Sequence, residues 1–294
     1  MVDISATLDY IDFNFSDPFS MLHWGPLFSN LLPMKRYHHF LLDIEGTIVL
    51  DKKYTPVPGA VNWFNSLVGN GNFARLVTNN TTESPDDLYD ILRGKGFCFE
   101  KSDYFTCLTE AVAQMKRRDI KSCMALCKKA VKLYLEKNGI RPSNSTSADS
   151  VLVGYDPTLT YNRLNKAASA IADNHAQLFT LHRNRRFVNE EHDIVMSAGP
   201  IAAALENATL TRAIVCGKPN RRFFLDCLKG WDIPPKDILM VSDDPFADLI
   251  GAKKIGMATA WVLTGSQRNP EAAIKIHRDY RPDHIFKSVV DIPF

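Results

Sequence analysis

The apolar segment Phe40-Leu41-Leu42 runs into two carboxylates spaced by one residue, Asp43 and Glu45, and then into Gly46-Thr47. An apolar run closed by a glycine turn reads as a buried parallel strand, and open α/β sheets bind ligands beyond the carboxyl ends of such strands. The pattern predicts an α/β chain that delivers two acids to a ligand-binding edge. Taken alone, an acidic strand end before Gly also suits a turn or a helix cap.

Three later segments repeat the design of a short apolar run ending in polar groups. Phe73-Ala74-Arg75-Leu76-Val77 leads into Thr78-Asn79-Asn80, where Thr and Asn could equally cap a helix. Ile214-Val215-Cys216 leads into Gly217-Lys218-Pro219, fixing a lysine between Gly and Pro. Ile238-Leu239-Met240-Val241 leads into Ser242-Asp243-Asp244-Pro245-Phe246-Ala247-Asp248.

In this order the four segments resemble the four motifs of the haloacid dehalogenase-like phosphatases. The resemblance implies that Asp43 attacks phosphorus, Glu45 exchanges protons with the leaving group, Thr78 and Asn79 bind the phosphoryl oxygens, and Lys218 neutralises nucleophile and phosphate together. It also implies Mg²⁺ as cofactor, held by Asp43, Asp243 and the main-chain carbonyl of Glu45, with Asp248 holding a water at the metal or orienting Lys218. The physics agrees: a carboxylate can attack a phosphate dianion only where a cation and fixed donors cancel the repulsion. Mg²⁺ takes oxygen ligands, usually one or two protein carboxylates plus substrate phosphate.

Four residues depart from the usual pattern. Glu45 stands where Asp is usual, as in the enolase-phosphatase branch of the superfamily, and adds a methylene that moves the acid by about 1.5 Å. Ser242 replaces a Gly, Ala247 a common Thr, and Pro245 stiffens the intervening loop. A pocket that binds phosphate and metal without turnover, serving as a scaffold, and transfer to an acceptor other than water are the alternative functions.

Alternating strand and helix patterns from Tyr37 onward predict βαβ units, hence a doubly wound parallel sheet. Helices are expected from about Gly59 to Val68, from Pro85 through Leu92 and over 110–116. Thr78 and Lys218 lie too far apart for one crossover. A second α/β unit fills the gap, with helices over 130–138 and 163–173 and a strand from Val151 to Gly154. This is expected to be an inserted cap domain over 120–195, with the core over 37–119 and 196–294. The segments around Tyr155-Asp156-Pro157 and Ser197-Ala198-Gly199-Pro200 resemble the cap of the class that includes NagD and p-nitrophenyl, phosphoglycolate and pyridoxal phosphate phosphatases. The second is expected to form a Gly-rich turn back into the core.

Where that class often carries an A-T-N-x-D-like loop, this chain has Leu181-His182-Arg183-Asn184-Arg185-Arg186. Arg183 and Arg185 are candidate clamps for a second anionic group on the substrate. His182 is expected to be a loop residue outside the chemistry.

Composition sets outer limits. The 294 residues are 45% hydrophobic and can bury a substantial core, while a net charge of +2 gives no reason to expect nucleic acid or membrane as partner. The six cysteines, without C-x-x-C spacing, read as reduced thiols of a cytoplasmic protein. Residues 1–36 form an N-terminal extension whose segment from Ile11 to Leu32 carries many aromatics and hardly a charge. That extension and the cap are the candidate surfaces for a homo-oligomer, and a small phosphorylated metabolite is the expected substrate.

Overall fold

The computed structural model describes residues 35–51, 53–188 and 193–294. The aromatic extension therefore lies, but for its last two residues, outside the described residues. No described helix is long and apolar enough to cross a membrane.

The first half of the core follows the sequence pattern closely. Strand β1 (His39–Asp43) is followed by α1 (Ala60–Gly69), β2 (Phe73–Thr78), α2 (Pro85–Gly94) and β3 (Tyr104–Thr106). Helix α1 buries Ala60, Trp63, Phe64 and Leu67, a helical spacing, and the Trp63 ring meets Phe40 of β1 edge to face. Helix α2 starts where Ser84 accepts a hydrogen bond from Asp87 N, with Pro85 at its first position.

Helix α3 (Cys107–Arg117) leads into a second set of elements: β4 (Ser122–Leu126), α4 (Lys129–Lys137), β5 (Arg141–Pro142), β6 (Ser150–Val153), α5 (Tyr161–Ala172), β7 (Gln177–Thr180), the hairpin strands β8 (Arg186–Val188) and β9 (Ile194–Met196), α6 (Ala198–Thr209) and β10 (Ile214–Val215). The chain closes with α7 (Arg221–Cys227), β11 (Ile238–Ser242), a π-helical turn over Pro245–Leu249, α8 (Ile250–Lys253), β12 (Ala258–Val262) and β13 (His284–Phe286).

Among the described residues the core sheet has six strands in the order β13-β12-β11-β1-β2-β3, all parallel. From β1 the chain winds outward to β3, then returns to the other side of β1 through β11. The reversal between β1 and β11 is the switch point where such sheets open a crevice. Register pairs Asp43 with Val77 and Leu42 with Val241, so Asp43, Thr78 and Ser242 end three adjacent strands at one level.

The second sheet runs β10-β7-β6-β4-β5, also parallel. Its strands alternate faces with period two. Cys123, Ala125, Leu152 and Phe179 pack with α3 and α4, while Met124, Leu126, Val151, Val153 and Leu178 pack with α5 and α6. Each such fully buried aliphatic or aromatic side chain contributes roughly 1.5–3 kcal/mol of transfer free energy.

These contacts correct the expected domain limits. Helix α3 covers a face of the second sheet, so its inserted layers begin before 120, and α6 and β10 belong to that sheet as well. The chain regains the core at Cys216–Gly217, not at 196. Gly199-Pro200 makes no turn: both residues sit in the first turn of α6, where a proline costs no intrahelical hydrogen bond, and Gly199 N donates to Asn184 O.

Candidate active site

The acids of the first motif are Asp43, the last residue of β1, and Glu45, placed by the turn that follows. The carbonyl of Ile44 accepts from the N–H groups of Thr47, Ile48 and Val49, and Gly46 takes φ 79°, a left-handed conformation natural to glycine. A Cβ on Gly46 would stand 2.5 Å from Asp243 Oδ2, so the glycine also makes room for that carboxylate. The Thr47 hydroxyl lies 3.4 Å from Asp43 Oδ2 and accepts from Asp243 N at 3.1 Å, joining the first motif to the fourth.

Lys218 is almost wholly buried, and its three ammonium hydrogens are all used. Nζ donates to Asp43 Oδ1, to Asp248 Oδ2 at 2.6 Å and to Val77 O at 3.3 Å. Burial alone would lower this ammonium, but Asp248 and Asp43 hold it above the ordinary lysine value, so it stays charged. Gly217 brings it here, since a Cβ at that position would lie 2.2 Å from Asn79 Oδ1 and 2.7 Å from Leu181 O.

The remaining acids crowd the same spot. Burial pushes Asp43 up; the Lys218 ammonium opposes that, and Asp248, Asp243 and Glu45 add to it. Asp243 is pushed up to about 6 by burial, against hydrogen bonds to its Oδ2 from Ser266 N at 2.7 Å and Ser266 Oγ at 2.9 Å. Asp248 Oδ2 also accepts from Ser242 Oγ at 2.8 Å. The serine that departs from the motif thus has a job: its hydroxyl holds Asp248 and accepts from Asp244 N.

Glu45 turns toward the second motif. It accepts from Thr78 Oγ1 at 2.7 Å and from Asn80 Nδ2 at 2.5 Å. Asn79 grips the backbone of Lys218 at both ends, accepting from Lys218 N and donating to Lys218 O, each at 2.9 Å. Its side chain therefore serves the lysine.

The two arginines of the cap loop differ in their surroundings. Both terminal nitrogens of Arg183 meet Glu206 of α6, at 2.8 and 2.5 Å, and hydrogen bonding from Arg183 pulls that carboxyl down to about 2. Arg183 is thereby committed to an ion pair, and Arg185 is exposed with its carbonyl accepting from Ser197 N. His182 is buried rather than solvated; desolvation first, and Lys218 second, hold it down to about 4.

Sequence reasoning brings Asp43, Glu45, Thr78, Asn79, Lys218, Asp243 and Asp248 into one site, and passes over Thr47, Tyr54, Asn80 and Ser266. The polar turn Thr264-Gly265-Ser266 after β12 was a signal for Ser266, of the same kind that marks the other strand ends.

Six parallel strands with Asp43, a buried lysine and further acids gathered at their carboxyl ends have the arrangement of a haloacid dehalogenase-type hydrolase. The family model of haloacid dehalogenase-like hydrolases matches residues 40–141, and a HAD-hydrolase-like model matches residues 215–292. Haloacid dehalogenase-like hydrolase domain-containing protein 2 of Homo sapiens is 33% identical over 229 residues, covering 78% of this chain and 85% of the relative. The chain belongs to the haloacid dehalogenase-like hydrolase family, and its fold is that of the family's phosphatases. Among solved structures, a 4-nitrophenylphosphatase from Thermotoga maritima superposes with a TM-score of 0.76 at 26% identity, covering 87% of this chain and 97% of that one. A glycerol phosphate phosphatase from Mycobacterium tuberculosis in complex with magnesium gives 0.72 at 24% identity, covering 86% and 76%.

Proposed function

We propose that the protein hydrolyses a small phosphate monoester, with Mg²⁺ as cofactor, through a phosphorylated Asp43. The observation that carries this reading is the burial of Asp43 against Lys218 at the end of the central strand, with the ammonium anchored in turn by Asp248.

The donor set suits a hard divalent cation. Four carboxylates, Asp43, Glu45, Asp243 and Asp248, act on one another around one buried ammonium, leaving an excess of negative charge. Both hydrogen bonds to Asp243 fall on Oδ2. Asp43, Asp243 and the Glu45 carbonyl would hold the ion, an all-oxygen set of two carboxylates and a carbonyl. Among the described residues no group of three His, Cys, Asp or Glu side chains forms a metal cage. When bound, the cation offsets phosphate charge and lets a carboxylate approach it.

The chain's own groups account for the steps. An Asp43 carboxylate oxygen bonds to phosphorus as the bond to the leaving oxygen breaks, and Glu45 gives its proton to that oxygen. Glu45 then takes a proton from a water that attacks phosphorus, and Asp43 leaves with its electron pair. Lys218 stays charged throughout and offsets developing negative charge at Asp43.

The test is phosphate release from p-nitrophenyl phosphate, glycerol phosphate, phosphoglycolate, pyridoxal phosphate and nucleotides, in Mg²⁺ and in EDTA, for wild type and Asp43→Asn. Turnover that requires both Mg²⁺ and Asp43 is expected. Turnover that survives Asp43→Asn refutes the covalent route, and none on any substrate refutes the phosphatase reading.

A further inference from the structure

Glu45 sets a problem that the structure answers. A glutamate has one more rotor than the usual aspartate, so the same proton transfer needs an acid that is harder to hold still. The described residues of 48–57, all but Lys52, make a side excursion directly after the first motif, closed by Leu50 N to Thr55 O at 2.8 Å and Val57 N to Ile48 O at 2.9 Å. Asp51 Oδ1 pins its turn by accepting from Lys53 N and Thr55 N. Tyr54 stands there at φ 54°, a left-handed conformation that an aromatic residue rarely adopts. Its neighbours Lys53 and Thr55 are exposed, yet Tyr54 is only 4% exposed.

The buried phenol oxygen accepts from Asn80 Nδ2 at 2.9 Å, and the same amide donates to Glu45 Oε1. The Asn80 carbonyl oxygen accepts from Thr82 N and Glu83 N, which fixes which way the amide faces. Its two donors thus go to one phenol and one carboxylate. Thr78 Oγ1 takes the other oxygen of Glu45 and accepts from Asn80 N.

We propose that Tyr54 and Asn80 are positioning residues that hold the longer acid Glu45 at the point of proton transfer, the strained excursion 48–57 existing to bring the phenol under the Asn80 amide. This rests on Glu45 being the proton donor in the reading above. Backbone strain persists where the surroundings over-determine it, and here the buried phenol and its hydrogen bond do so.

The readout is the leaving group. An alkyl phosphate departs as an alkoxide that needs the proton, whereas p-nitrophenolate leaves without it, and kcat/KM reports only the steps through loss of the leaving group. For Asn80→Ala, kcat/KM on glycerol phosphate is expected to fall about 100-fold, while that on p-nitrophenyl phosphate falls less than about threefold. Tyr54→Phe keeps the ring and removes only the hydroxyl; the same selective pattern at roughly fivefold is expected, which keeps the test valid if Asn80→Ala does not fold. Equal losses on both substrates, or no loss from either variant, overturn the positioning role and leave the phosphatase reading standing. Absence of wild-type turnover overturns that reading and the inference with it.

Discussion

Asn79 and Lys218, 139 positions apart in the chain, are joined by two reciprocal hydrogen bonds between the asparagine amide and both backbone groups of the lysine. The second motif thereby fixes the third across the entire inserted sheet. Lys218 can hold its ammonium between Asp43 and Asp248 because its main chain is clamped where it returns from β10.

It follows that Asn79→Ala removes a clamp and leaves the phosphate donors in place. Losing both bonds should cost about 1–3 kcal/mol of stability. Turnover should fall by about 100-fold through displacement of the ammonium, with KM changing less than kcat. Thermal melting and steady-state kinetics on one preparation check both; a change in KM alone would show that Asn79 binds substrate instead.

Lys218 gives a sharper case, because removing one partner of a buried ion cluster strands the others. Lys218→Met should destabilise the fold by about 3–5 kcal/mol and lower turnover about 1000-fold. Adding Asp248→Asn to that variant should recover part of the stability and none of the activity. Denaturant unfolding of the single and double variants decides this, and recovery of activity would show that the ammonium is dispensable.

The readable part of this site is the part that lies on strands. Asp43, Thr78 and Asp243 each end or follow an apolar run of period expected for a buried strand, so local pattern gives both their position and their neighbours. The contacts that finish the site are made by side excursions. Tyr54 reaches Asn80 only because 48–57 folds back at a positive φ, and no periodicity encodes that. Arg183 looked available in a run of like charges because its partner, Glu206, lies on a helix that the Gly199-Pro200 pair disguised as a turn. The same misreading displaced the end of the inserted sheet from Gly217 to 196.

Ser242 shows how a departure from a motif can carry its own structural reason. Its hydroxyl donates to Asp248 Oδ2 and accepts from Asp244 N, so the position that is usually glycine here stabilises the loop between the acids. Ser242→Gly, which restores the usual residue, is expected to lower stability by about 1–3 kcal/mol, as Ser242→Ala should. A melting series of the three proteins tests this; a gain in stability or rate for the glycine variant would mark the serine as a defect.

At Asp243 the needs of the site and of the fold conflict. Asp243 is buried, and its folded-state value is raised to about 6. A carboxyl raised in the folded state keeps its proton after the unfolded chain has lost its own, so stability is lost as pH rises from about 4 to about 6. For this one group the loss amounts to about 3 kcal/mol, complete above that window and absent below it. In EDTA at pH 8, Asp243→Asn should therefore melt higher than wild type, since asparagine carries no charge to bury and still accepts from Ser266; at pH 4 the two should converge. Mg²⁺ should raise the wild-type melting temperature at pH 8 and leave the variant unmoved, because an ion that binds only the folded state stabilises only a protein that still has the ligand. Scanning calorimetry at the two pH values, with and without Mg²⁺, gives all four comparisons. A variant that melts below wild type at pH 8 in EDTA would mean that Asp243 supports the fold in its ionised form and that the buried acids are not in conflict.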